Sequence, residues 1–153
     1  MTDSNTSQNN PAADRQALQH VLEQAEIIFD TADIDHAIDN LAQRLTERLG
    51  DVSPLVLCVM QGGLMFTGRI MSQLPLGAEF DYIHATRYGD KTTGDEISWI
   101  AYPKKNLQDR VVLILDDILD EGYTLAAIEQ YCREQGASDV ISAVLLQKKH
   151  DRL

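Results

Sequence analysis

The chain has 153 residues, 44% of them apolar, enough for one domain with a real core and too few for several. No apolar run approaches the roughly 20 residues that span a bilayer, and no basic-then-apolar leader opens the chain. A formal net charge of −11 weighs against nonspecific nucleic-acid binding, which needs a basic surface. Cys58 and Cys132 lie inside apolar segments and read as two buried thiols, with cytoplasmic placement the expectation.

Residues Met1 to about Ala13 read as a disordered tail, rich in Ser, Thr, Asn and Gln, and a single domain is expected from about residue 14 to the end. Leu18, Val21, Leu22 and Ala25 then recur at the spacing of one helical face. Ile27-Ile28-Phe29 is a brief apolar run read as a short strand. Asp33 is expected to N-cap the next helix, whose stripe is Ile34, Ile38, Leu41, Leu45 and Leu49 and whose stop is Gly50. Pro54 to Met60 is continuously apolar and reads as a buried strand. Gln61-Gly62-Gly63 is a tight turn into a helix from about Leu64 to Leu74, broken by Pro75. Ala78 to Thr86 and Ile97 to Tyr102 read as strands, with a polar, glycine-containing mobile loop from Arg87 to Glu96 between them. Asn106 to Arg110 is a turn and Val111 to Leu115 the strongest buried strand. Gly122 to Gln135 is a helix with Leu125, Ile128 and Cys132 inward and Gly136 as its stop, followed by a last strand, Val140 to Gln147. Strands apolar on both faces, alternating with helices, give an α/β fold with a largely parallel sheet covered on both sides. Ligands of such sheets bind outside the carboxyl ends of the strands.

Two strand ends carry unusual chemistry. Asp116 and Asp117 close the strand that begins at Val111, and Asp120 enters the following loop. Three acids in five residues cost repulsion and desolvation that a fold does not need. The helix that follows opens through Gly122 and Thr124, where free N–H groups and the dipole favour an anion. One segment therefore offers a phosphate cradle beside carboxylates able to accept from sugar hydroxyls. The second strand end is Gln61-Gly62-Gly63, where two glycines could bring backbone N–H groups close to an oxyanion. The histidines at positions 20, 36, 84 and 150 have no metal-ligand spacing.

The run Asp116-Asp117-Ile-Leu-Asp120-Glu-Gly122-Tyr-Thr124 resembles the phosphoribosyl-pyrophosphate (PRPP) motif of type I phosphoribosyltransferases, in the form seen in the hypoxanthine-guanine branch. The resemblance covers roughly Ala25 to the last residue. It implies that family's fold, a largely parallel twisted sheet with helices on both faces. It also implies Mg²⁺-dependent purine salvage, in which N9 of hypoxanthine or guanine displaces pyrophosphate from C1 of PRPP to give IMP or GMP. Asp116 and Asp117 would hold the ribose 2′- and 3′-hydroxyls beside a magnesium ion reached through those hydroxyls and water. Asp120 would take the proton from purine N7, and Asp120, Glu121, Gly122, Tyr123 and Thr124 would form the 5′-phosphate loop. Gln61 and Gly62 would contact pyrophosphate in a turn where family members can carry a cis peptide. Arg87 and Tyr88 would begin a loop that closes over pyrophosphate and excludes water. Lys148 would donate to the purine 6-oxygen, selecting 6-oxopurines over adenine.

Three positions depart from the family pattern. Glu121 stands where Ser or Thr is usual, and its carboxylate is expected to point away from the phosphate. Gln61 replaces a common Lys, and Arg87 replaces Ser. The resemblance further implies a homodimer or homotetramer. Family members continue past the position of Lys148 with an aromatic that stacks on the purine and a further acid, so weak or no activity is expected of these residues alone. Rival readings are a PRPP-sensing regulator on the same fold, a transferase preferring xanthine, adenine or a pyrimidine, and a nonenzymatic α/β domain.

Overall fold

The central strands form where the chain is most continuously apolar. In the computed structural model, which describes residues 11–74, 77–87 and 97–149, five strands make one sheet. They are β1 (Leu55–Val59), β2 (Glu79–Arg87), β3 (Ile97–Ala101), β4 (Val111–Leu119) and β5 (Asp139–Gln147), in the spatial order β3-β2-β1-β4-β5. β2, β1, β4 and β5 run parallel. β3 is an antiparallel edge strand paired with β2. The expectation of a largely parallel α/β sheet is met.

The chain divides into two compact units, Met1–Asp33 and Ile34–Leu153. The first contains helix α1 (Pro11–Gln24), which starts three residues inside the segment read as a tail. Ile27-Ile28-Phe29 forms no strand. These side chains are 79%, 79% and 55% exposed; an apolar run alone does not make a strand without a neighbour to pair with. Helix α2 (Thr31–Leu49) begins one turn earlier than Asp33 suggests. Asp30 is its N-cap: the Asp33 N–H donates to Asp30 Oδ1 at 2.9 Å, and the Asp30 N–H donates to Asp33 Oδ2 at 3.0 Å. Asp33 is thus the far member of a reciprocal capping pair.

In the second unit, one sheet face carries Val56, Leu113, Leu115 and Ala143 beneath Ile38, Leu45 and Leu49 of α2 and Phe66 and Ile70 of α3 (Gly63–Met71). The other carries Leu55, Leu57, Ile83, Val112 and Ile114 beneath Ile128 and Cys132 of α4 (Tyr123–Glu134). The α3 helix ends at Met71, short of the Leu74 expected from sequence. The α4 assignment, its inward face and its stop at Gly136 agree with the sequence pattern. Both cysteines are buried free thiols. Buried Asp81 accepts the N–H groups of Lys104 and Lys105 at 2.7 Å each, pinning the β3–β4 connection to β2.

The largest departure is at β4. The apolar run ends at Leu115, yet the strand continues through Asp116 and Asp117 to Leu119. Pairing with β5 persists to Leu119↔Gln147, whereas pairing with β1 stops at Cys58↔Leu115. β5 supplies the ladder partners that carry two aspartates of low strand propensity, and Ile118 and Leu119 after them, past the core.

Candidate active site

The overhang of β4 and the first turn of α4 enclose an open cavity of about 340 Å³ at the carboxyl ends of the strands. Asp116, Asp120, Glu121, Gly122, Tyr123 and Thr124 all line it, joined by apolar side chains from β1, β2 and β4. Six of the residues singled out from sequence therefore meet around one space.

The α4 end of the cavity is built by backbone. Gly122 is the N-cap, with φ +85° and ψ −3°, a left-handed conformation that L side chains disfavour. That turn redirects the chain from strand to helix within four residues. The helix has no side-chain cap, and the first intrahelical bond at this end runs from Ala126 N–H to Gly122 O at 2.9 Å. The first turn of a helix has N–H groups without intrahelical partners and carries the positive end of the dipole, where an anion is favoured.

The β4 end is built by acids. Strand alternation starts Asp116 and Ile118 on the cavity side and Asp117 on the α3 side. Asp117 is correspondingly not part of the cavity lining. The Asp117 N–H donates to Asp116 Oδ1 and the Ile118 N–H to Asp117 Oδ1, both at 2.9 Å. The Asp116 carboxyl is pushed up from 3.8 to about 6, chiefly by burial; the hydrogen bond from the Asp117 backbone opposes this and the neighbouring Asp117 carboxyl adds to it. Burial disfavours the ionised form of this half-buried carboxyl, and a ligand that offers hydroxyl donors or brings a cation would favour it again.

Asp120 and Lys148 meet at the rim. The Lys148 ammonium lies 3.3 Å from Asp120 Oδ1 and 3.3 Å from Oδ2, with both side chains more than half exposed. The Lys148 N–H donates to Leu119 O at 2.9 Å, so the exit from β5 is tied to the end of β4. Water screens such a pair, which is open to exchange for a ligand.

The turn Gln61-Gly62-Gly63 abuts the acids from the α3 side. The Met60–Gln61 peptide is cis, one bond before Gln61-Gly62. Gly62 faces the Asp117 carboxylate, and Gly63 packs against Leu115 O and Asp116 Cα. Arg87 ends β2 two residues after the cavity-lining Ala85, with its backbone paired to Ile97. Tyr88 and the rest of the expected mobile loop lie outside the described residues, as do the residues after Lys149.

Sequence reasoning overlooked the apolar wall. Ile118 is 49% exposed although it sits in a strand, and with Leu119, Val59 and Met60 it lines the cavity beside the acids. The signal was an apolar pair set between Asp117 and Asp120, a pattern that a solvated turn does not need.

Comparison with known proteins bears on this geometry. Residues 24–153 match the phosphoribosyl transferase domain family. A hypoxanthine-guanine phosphoribosyltransferase of Streptococcus thermophilus is 28% identical over 129 residues, covering 84% of this chain and 72% of that protein. A hypoxanthine-guanine-xanthine phosphoribosyltransferase of Tritrichomonas foetus is 34% identical over 100 residues, covering 65% and 54%. The solved hypoxanthine phosphoribosyltransferase of Staphylococcus aureus shares the fold at a TM-score of 0.79 and 21% identity, covering 88% of this chain and 73% of that one. With the matched span containing every element of the cavity, the chain belongs to the phosphoribosyl transferase domain family.

Proposed function

We propose that this chain transfers the 5-phosphoribosyl group of PRPP to a 6-oxopurine, hypoxanthine or guanine, releasing pyrophosphate and the nucleoside monophosphate. The observation that carries the reading is the single cavity joining Asp116, Asp120 and the Gly122–Thr124 helix start, with Lys148 at its rim. The α4 N-terminus takes the 5′-phosphate on backbone N–H groups. Asp116 and Asp117 accept from the ribose hydroxyls. Asp120 receives the N7 proton of the purine, and Lys148 exchanges its bond to Asp120 for one to the 6-oxygen. Gln61, Gly62, Arg87 and Tyr88 face the pyrophosphate. Ile118 and Leu119 offer the apolar surface a flat base requires.

Among the described residues, no group of three or more His, Cys, Asp or Glu side chains is arranged to hold a metal. The carboxylates fit an ion that arrives with its substrate, because magnesium is commonly held by one or two carboxylates plus substrate phosphates. Such an ion supplies the positive charge that the acidic cavity lacks. The cavity lining contains no Lys or Arg among the described residues.

The test is pyrophosphate release from PRPP and Mg²⁺ with hypoxanthine, guanine, xanthine or adenine in turn. Turnover with 6-oxopurines and none with adenine is expected; no release with any base refutes the reading. Lys148→Met should narrow the preference for 6-oxopurines over adenine by roughly 10–100-fold, the range for a hydrogen bond to a charged group. Xanthine is a specific second reading, favoured by the 34% identity to the T. foetus enzyme, whose name includes it. A homodimer or homotetramer and cytoplasmic placement accompany the proposal. Among the described residues, no helix is long and apolar enough to cross a membrane.

A further inference from the structure

Gly62 has φ −57° and ψ −46°, the right-handed helical region open to every L-residue. Conformational freedom is therefore not what glycine contributes here; room is. A Cβ at position 62 would lie 2.6 Å from Asp117 Oδ1, 2.7 Å from Oδ2 and 2.8 Å from Cγ. The Asp117 carboxylate occupies the hollow left by the missing side chain. It is held there on a second side, because its Oδ1 accepts the Ile118 N–H at 2.9 Å.

Asp117 has reason to need such a seat. Strand alternation directs it away from the cavity that its neighbour Asp116 lines. β1 has already ended at this level, so no strand flanks it on that side. The turn after β1 takes the place of the missing strand. Because the obstacle to a larger residue is the end of a side chain, an alanine at 62 would swing the carboxylate aside rather than unfold the turn.

We propose that Gly62 is a positioning residue for Asp117: the hollow over Gly62 fixes the carboxylate and thereby sets the affinity of the site for a ribose diol, independently of any contact the turn makes with pyrophosphate. This rests on the reading of the site as phosphoribosyl-binding. The two roles separate with ligands that carry only one of the groups. A nucleoside monophosphate has the ribose and no pyrophosphate; inorganic pyrophosphate is the converse.

The experiment is calorimetric titration of the full chain with GMP and, separately, with pyrophosphate and Mg²⁺. Gly62→Ala is expected to weaken GMP binding on the order of tenfold, within the range of an overpacked contact, and pyrophosphate binding by a smaller factor, since the substitution keeps the backbone N–H that the turn offers to pyrophosphate. In an Asp117→Ala background the same substitution should leave GMP affinity unchanged, since the atoms it would strike are gone. Equal losses for both ligands, a loss confined to pyrophosphate, or an undiminished effect in the Asp117→Ala background overturns the proposal. Failure of the underlying reading looks different: the wild-type chain then binds no GMP. The seat is in that case judged by melting temperature. A lowering by Gly62→Ala that vanishes with Asp117→Ala supports it, and an equal lowering in both backgrounds overturns it. A Gly62→Ala chain that folds only alongside Asp117→Ala is support of the same kind.

Discussion

The two strand ends at the cavity solve the same problem by opposite means. Both pass from a parallel strand into a helix, and both use glycine at the junction. At the β4–α4 junction Gly122 is needed for its torsion angle, φ +85°, while the nearest obstacle to a Cβ is a leucine methyl at 3.4 Å. At the β1–α3 junction Gly62 has an ordinary helical backbone and Gly63 opens the helix itself, and each is needed for space against β4. One junction exposes backbone to a ligand; the other leans on the first and holds it in shape. A glycine in a loop motif is therefore not one signal but two, and only the backbone angles tell them apart.

Substitutions can break or sharpen this contrast. The largest effect should come from Asp120→Ala, because the β4–α4 junction carries the group proposed to take a proton from the substrate. Its kcat for purine conversion should fall on the order of 10²–10⁴-fold with PRPP binding retained; normal turnover would sink the role. Next is Gly63→Ala, where the obstacle is a backbone oxygen, Leu115 O at 2.8 Å, that cannot swing away. Denaturant unfolding should show a loss of about 1–3 kcal/mol, and Asn should do no better than Ala. Gly122→Ala should cost about 1–2 kcal/mol, with Gly122→Asn recovering part of it because Asn tolerates the left-handed region. Equal behaviour of the two Asn variants would erase the distinction between torsion and space. Glu121→Ser removes a like charge beside the proposed phosphate loop and should lower KM for PRPP about three- to fivefold, the effect of roughly 1 kcal/mol of Coulomb repulsion in water. The smallest effect is a pH dependence. With its carboxyl pushed up to about 6 from an ordinary 3.8, Asp116 favours the folded state most when protonated. That contribution is fully present below pH about 4 and is lost as pH rises through about 6. Asp116→Asn should therefore melt above wild type at pH 8 and by a smaller margin at pH 4; an unchanged margin would reject the raised value.

Much of the fold was legible because periodicity and continuous burial are strong signals. The stripe from Ile34 to Leu49, the fully buried β1 and the α4 stop at Gly136 all follow from residue type. The site motif was legible for another reason: acids at a strand end have no structural excuse. What escaped depended on partners. Asp116 and Asp117 read as the close of their strand because the apolar run stops at Leu115, but β5 runs alongside the chain and carries the strand on to Leu119. Ile27-Ile28-Phe29 read as strand because apolar residues usually find a neighbour, and among the described residues none pairs with them. Asp33 reads as the cap because it precedes the apolar stripe, whereas Asp30 and Asp33 cap each other. The divergence of Asp116 and Asp117 follows from the pleat, but only once the strand is known to reach them.

The two hydrogen bonds along the β4 overhang, Asp117 N–H to Asp116 and Ile118 N–H to Asp117, have a consequence for entropy. Each carboxylate is tethered to the backbone of the next residue, so its rotamer is chosen during folding and not during binding. Ordering a mobile side chain at association typically costs about 0.5–1.5 kcal/mol. The acid pair has little of that freedom left to lose, and the ribose proposed to bind at this edge would meet acceptors already in place.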